Sequence, residues 1–126
     1  MVSDPIGDFL IRIKNGYLAR KKKVTAPFSK IKEKLAKILV DSGYLAELKK
    51  DKNKLIVRLR YPEGKPALEE VRRISKPGCR IYKKRKEIKP VRSGFGMAII
   101  STPKGLMTDK EARKKNLGGE VICEIW

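Results

Sequence analysis

Five consecutive residues, Ser101-Thr102-Pro103-Lys104-Gly105, offer two hydroxyls, an ammonium and a proline–glycine turn. Groups of this kind reach into a shallow groove and bond to phosphates, 2′-hydroxyls and base edges; an ordinary polar turn has the same composition. Ser101 as a nucleophile would need a base, and the neighbouring sequence supplies none. Tyr82 stands beside Lys83-Lys84-Arg85, the pairing of aromatic ring and cation that stacks and neutralises nucleic acid. It reads equally as a half-buried strand tyrosine.

Most other chemistries are excluded by what is missing. The 126 residues include no histidine, which removes the usual proton carrier near neutral pH, the commonest zinc ligand and every histidine-dependent triad. Cys79 and Cys123 form no CxxC pair. They read as small buried hydrophobes in a reducing compartment, with a disulfide as the other reading. Gly94 and Gly96 lack the third glycine and following helix of a dinucleotide fingerprint, and no GxxxxGK[ST] loop exists. Glu69 and Glu70 are adjacent and would face opposite ways on a strand, so they make no glycosidase pair. No metal, cofactor or small-molecule substrate is expected.

Charge points to a partner instead. Lys and Arg number 32 against 14 Asp and Glu, a net +18. Such a surplus repels itself in a compact fold until a polyanion neutralises it. Residues 1–62 carry 16 basic and 6 acidic groups, and residues 63–126 carry 16 and 8, so no single tail holds it. The densest run, residues 72–92, has ten cations and one acid, Glu87. Nucleic acid is the leading partner, ahead of an anionic membrane surface. No apolar run is long enough to span a membrane. The first five residues lack the regions of a signal peptide, so a cytoplasmic location is expected.

The elements that must position these residues are legible. Ser3-Asp4-Pro5 reads as a helix start, followed by Ile6, Phe9, Leu10, Ile13 and Tyr17 at helical spacing. Residues 24–27 suit an edge strand closed by proline. Ser29 caps a second helix bearing Ile31, Leu35, Ile38 and Leu39, and Gly43 ends it. Residues 44–48 and 54–61 read as strands about a turn at 49–53, with Leu55, Val57, Leu59 and Tyr61 on one side. Prolines 62 and 66 with Gly64 mark a boundary. Beyond it come extended stretches at 71–75, 79–83, 86–88 and 91, a tight loop at 93–96 and a buried strand at 97–101. Thr108 and Glu111 match a capping box for a short helix, and residues 120–126 form a last strand that takes Trp126 into the core. The expectation is an α+β chain of two units: an α/β unit over 1–62 (helix, strand, helix, hairpin) and a mostly antiparallel β unit over 67–126 with one short helix.

Ser101-Thr102-Pro103-Lys104-Gly105-Leu106-Met107-Thr108-Asp109-Lys110-Glu111-Ala112, then Gly118-Gly119-Glu120-Val121-Ile122-Cys123-Glu124-Ile125-Trp126, resembles the signature of the bacterial small-subunit ribosomal protein eight family. Asp4-Pro5-Ile6-Gly7-Asp8 and Arg12-Ile13-Lys14-Asn15 resemble that family's first helix, so the likeness covers nearly the whole chain. It implies a structural protein of the small ribosomal subunit that binds the central domain of 16S rRNA directly and early in assembly. Recognition of an irregular, bulged stem through its minor groove is implied, beside neighbouring small-subunit proteins. In some bacteria the family also binds a similar stem in its own operon mRNA and represses translation.

By matching positions, the resemblance implies an RNA-reading loop of Ser101, Thr102, Pro103, Lys104 and Gly105. Supporting contacts are implied for Tyr82, Gly118, Gly119 and Glu120, and for Asp4, Pro5, Lys30 and Lys54. Pro103 stands where many members carry serine, one hydroxyl and one backbone donor fewer. The residues themselves add Lys84, whose charge supplies affinity without specificity. Backbone at Gly105, Gly118 and Gly119 can approach a sugar closely because no side chain intervenes. Glu120 either accepts a bond from a base or 2′-hydroxyl, or anchors the glycine loop. The rivals are an RNA-processing enzyme, which the absent histidine disfavours, and a non-specific nucleic-acid or membrane-surface binder.

Overall fold

A computed structural model of the chain describes residues 4–126; Ser3, expected to cap the first helix, lies outside the described residues. The chain is α+β and divides into two units, Pro5–Glu69 and a second formed by Glu70–Trp126 with Asp4. Among the described residues no helix is long and apolar enough to cross a membrane.

In the first unit, helix α1 (Pro5–Leu18) buries Phe9, Leu10, Ile13 and Tyr17 along one stripe. Strand β1 (Lys23–Pro27) follows. Helix α2 (Lys30–Asp41) is capped by Ser29, whose hydroxyl accepts the Lys32 N–H at 3.3 Å, and buries Leu35, Ala36 and Leu39. Strands β2 (Glu47–Asp51) and β3 (Lys54–Arg58) complete an antiparallel sheet ordered β1-β3-β2. Leu55 and Val57 are buried on its inner face, as alternation requires. The hairpin is tighter than expected. Asp51 pairs with Lys54, so only Lys52 and Asn53 turn, and Lys52 takes a φ of 55°. That positive φ matches the twist of the strands and lets β2 run to Asp51.

The buried Tyr17 hydroxyl donates to the Tyr44 carbonyl and accepts the Arg60 N–H at 3.0 Å. The joint falls after Glu69, a few residues past the proline-rich stretch. Ala67 still donates its N–H to the Arg60 carbonyl, whereas Glu70 donates to Trp126.

The second unit holds strands β4 (Val71–Arg73), β5 (Tyr82–Lys83), β6 (Met97–Thr102), β7 (Gly105–Thr108) and β8 (Gly119–Ile125), with helix α3 (Asp109–Lys114). Its antiparallel sheet is ordered β4-β8-β6-β7, and β5 also pairs with β8. Ala98, Ile100, Met107, Ala112 and Val121 form its core with Ile88 and Val91, and Trp126 packs against them. Thr108 caps α3, its hydroxyl accepting the Glu111 N–H at 3.2 Å. Buried Asp109 accepts the Ala98 N–H at 3.0 Å and pairs with Arg113 at 2.7 Å, which ties α3 to β6.

Four expectations need correction here. The residues after Ser101 do not lead straight into the helix; β7 intervenes and pairs with β6. The extended pieces at 86–88 and 91 are instead a 3₁₀ turn at Arg85–Glu87, followed by an extended Ile88, and a tight turn at Val91–Gly94 in which Arg92 and Ser93 take positive φ. The strand expected over 79–83 shrinks to Tyr82–Lys83. Cys79 belongs to a turn closed by mutual backbone bonds with Lys76, and it is exposed rather than buried. Cys123 is buried; neither cysteine is in a disulfide.

Candidate nucleic-acid interface

The hairpin joining β6 to β7 carries the five-residue segment. Thr102 pairs with Gly105, so Pro103 and Lys104 alone make the turn. Proline's fixed φ suits the first turn position, and the positive φ that must follow falls on Gly105, at 110°. Thr102 is buried, and its hydroxyl is engaged inside the turn. It donates to the Gly105 carbonyl at 2.9 Å and accepts the Lys104 N–H at 3.1 Å. Its role is to shape the loop. The exposed groups are Pro103 and the Lys104 ammonium, while Ser101 is half-buried.

Register sets a row across the sheet. Tyr82 lies opposite Glu120, Glu120 opposite Ser101, and Ser101 opposite Leu106. Directly opposed residues share a face, so Tyr82, Glu120, Ser101 and Leu106 stand side by side at the turn end of the sheet. This row depends on a bulge. Ile99 pairs with Cys123 but Ile100 with Val121, so β8 carries one residue more than β6 at that point. A regular ladder would set Ser101 against Val121 and break the row. Tyr82 is 68% exposed, which favours the stacking reading over the half-buried one.

Glu120 is paired within the protein. Arg80 donates to its carboxylate at 3.1 Å, and the Glu120 side chain is only 15% exposed. Glu120 thereby fixes Arg80, two residues before Tyr82. Ser75, fully buried, works on the same segment, donating to the Ile81 carbonyl and accepting the Ile81 N–H at 2.9 Å. Neither Arg80 nor Ser75 was found from sequence. Their partners lie six or more residues away, beyond the reach of local patterns.

The glycine pair has a different reason from the one expected. A Cβ on Gly119 would fall on the Ser101 carbonyl and lie 3.1 Å from the Thr102 Cα; one on Gly118 would lie 2.6 Å from the Lys83 carbonyl. The vacated space is filled by protein backbone, not left open to a sugar. Glycine here lets β6 and the basic segment after β5 crowd against β8.

Lys84 is exposed, and its backbone N–H is held by the Glu87 carboxylate at 2.8 Å. Asp4 faces protein: Arg73 donates to both its oxygens, at 3.0 and 3.3 Å. Pro5 is exposed at the start of α1. Lys30 and Lys54 belong to the first unit, both exposed. Lys54 lies opposite Pro27, three residues before Lys30, so the two share one end of that unit. Thus the second unit brings together Ser101, the turn, Tyr82, Lys84 and the Gly118–Glu120 stretch, while Asp4 is engaged elsewhere. Among the described residues no group of three or more His, Cys, Asp or Glu could hold a metal ion.

Comparison with known proteins places this arrangement in context. A family model described as "Ribosomal protein S8" matches residues 4–126. The chain is 48% identical over 136 residues to the small ribosomal subunit protein uS8 of Persephonella marina, covering 100% of both. It is 46% identical over 127 residues to uS8 of Wigglesworthia glossinidia brevipalpis, covering 98% of each. For uS8 of Pseudomonas aeruginosa the identity is 46% over 128 residues, covering 99% of this chain and 98% of the other.

Proposed function

The chain belongs to the ribosomal protein S8 family, and on that premise we propose that it binds the central domain of 16S rRNA directly and organises that domain during small-subunit assembly. The family is one of structural, non-enzymatic proteins, so the chain works by docking. Its seat is the ribosome, beside neighbouring small-subunit proteins.

The reading is carried by the row Tyr82–Glu120–Ser101 ending at the Pro103-Lys104 turn. A-form RNA closes its major groove to side chains and opens a shallow minor groove lined with 2′-hydroxyls. A narrow, rigid turn with a half-buried hydroxyl and a flanking ammonium suits that groove better than a helix does. Thr102 holds the turn in shape, Ser101 and Lys104 offer polar contacts, Tyr82 offers a ring to a base displaced at a bulge, and Lys84 neutralises phosphate. Lys30, Lys54 and Pro5 on the first unit supply further contacts. An mRNA stem of the same irregular shape would occupy the same surface. Repression of the chain's own operon follows from that competition.

A salt series tests the proposal: binding to a bulged central-domain stem beside a scrambled stem of equal length. A gap on the order of a thousandfold that persists as salt rises is expected for groove and shape readout. Two curves that fall together would reduce the protein to a polycation and overturn the reading.

A further inference from the structure

Between Tyr82 and Phe95 the chain crosses the second unit from one end of β8 to the other. Tyr82 pairs with Glu120 near the start of β8. Arg92 lays its guanidinium over Trp126, 3.9 Å from the ring centroid, just past the end of β8. At roughly 3.3 Å per strand residue, Glu120 to Trp126 spans about 20 Å. Ile88 and Val91 pin this strap to the core. The cations between them, Lys83, Lys84, Arg85, Lys86, Lys89 and Arg92, are all exposed. The strap's acid, Glu87, is turned back onto the Lys84 N–H.

Each end of the strap carries an exposed aromatic ring, Tyr82 at 68% and Phe95 at 86%; the other six aromatic residues are buried or half-buried. Phe95 is held out by a built loop. Arg92 and Ser93 adopt left-handed φ values of 47° and 56°, which L residues take only when their surroundings compel them. The Phe95 and Gly96 N–H groups close the loop onto the Arg92 and Val91 carbonyls. A Cβ on Gly96 would lie 2.7 Å from the Ile125 carbonyl, so the loop is seated hard against the strand end.

We propose that Lys89, Arg92 and Phe95 form a second RNA contact that takes an unpaired nucleotide, its base stacked on Phe95 and its phosphates on the two cations. Phe95 precedes the first residue of β6 and the Pro103-Lys104 turn follows its last, so this site lies at the opposite end of the strand from the hairpin. It borrows from the proposed function only the choice of RNA as polyanion. The ring selects among polyanions. Base-paired stacks present no free face, and an acidic peptide gains nothing from one, whereas an unpaired base does. Arg92, with one face on Trp126, keeps its N–H edge preset for a phosphate.

Trp126 is the one tryptophan in the chain and lies under Arg92, so its fluorescence reports on this corner. The full chain is titrated with an rA hexamer and, separately, with a blunt bulged stem. The hexamer is expected to quench Trp126 saturably. Phe95→Ala should raise the hexamer Kd about tenfold and Phe95→Leu nearly as much, since leucine has no π face. Ser101→Ala should leave the hexamer Kd unchanged, and Phe95→Ala should leave the stem Kd unchanged. An unaltered hexamer Kd in Phe95→Ala, or equal quenching by a hexaglutamate peptide, overturns the proposal. A stem that binds no better than a scrambled one while the hexamer still quenches overturns only the hairpin reading.

Discussion

The carbonyl of Ser101 occupies the space that a Cβ on Gly119 would need. β6 and β8 therefore pack backbone to backbone beside the Pro103-Lys104 turn, and glycine at 119 is a packing requirement. Gly119→Ala should push β6 off β8 and lower the unfolding free energy by about 2 kcal/mol. Specific RNA affinity should fall while binding to a scrambled stem is kept. Urea denaturation and paired binding curves check both; an alanine variant with parental stability would place the strands further apart than described.

Ser101 and Thr102 are neighbours with separable roles. Thr102→Val removes the hydroxyl that bridges the Gly105 carbonyl and Lys104 N–H, and should destabilise the protein by about 1–3 kcal/mol. Thr102→Ser should restore most of that loss. Ser101→Ala should leave the melting temperature nearly unchanged yet weaken the cognate stem by about 1–2 kcal/mol, sparing the scrambled stem. Equal losses on both stems would make the loop a purely electrostatic contributor.

Lys84→Ala should behave differently from either. As an exposed cation it should lower affinity for cognate and scrambled RNA alike and reduce the salt slope by about 1. Parallel slopes for variant and parent would remove Lys84 from the interface.

Burial pushes the Cys123 thiol up from 9.0 to about 12. The folded state therefore keeps a proton that the unfolded state has lost, and this contribution to stability falls as pH rises between those values. The slope is about 1 kcal/mol per pH unit. Cys123→Ala carries no such group, so the stability gap between parent and variant should narrow from pH 8.5 to 10.5. Tyr17, also pushed up by burial, adds the same sign to both proteins and cancels. A gap that stays constant would mean the thiol titrates normally.

Much of this molecule could be read from local sequence. The Ser29 and Thr108 caps, the α1 stripe, the α2 stripe apart from Ile31, which is exposed, and the buried run of β6 are fixed within a few residues, because capping and amphipathic periodicity act over one or two turns. The five-residue segment is likewise legible as a turn, and the charge surplus as the mark of a polyanionic partner. What depends on distant residues was not legible. The bulge in β8 that sets Ser101 against Glu120, the Arg80–Glu120 pair that orients the approach to Tyr82, and the protein backbone filling the space at Gly118 and Gly119 each join segments far apart in the chain. Strand register is decided by packing across the sheet, where shifting by one residue exchanges the two faces. Composition and spacing therefore supplied the groups, and only the tertiary structure decided that Thr102 would be consumed in shaping the turn while Ser101 stood in the row beside it.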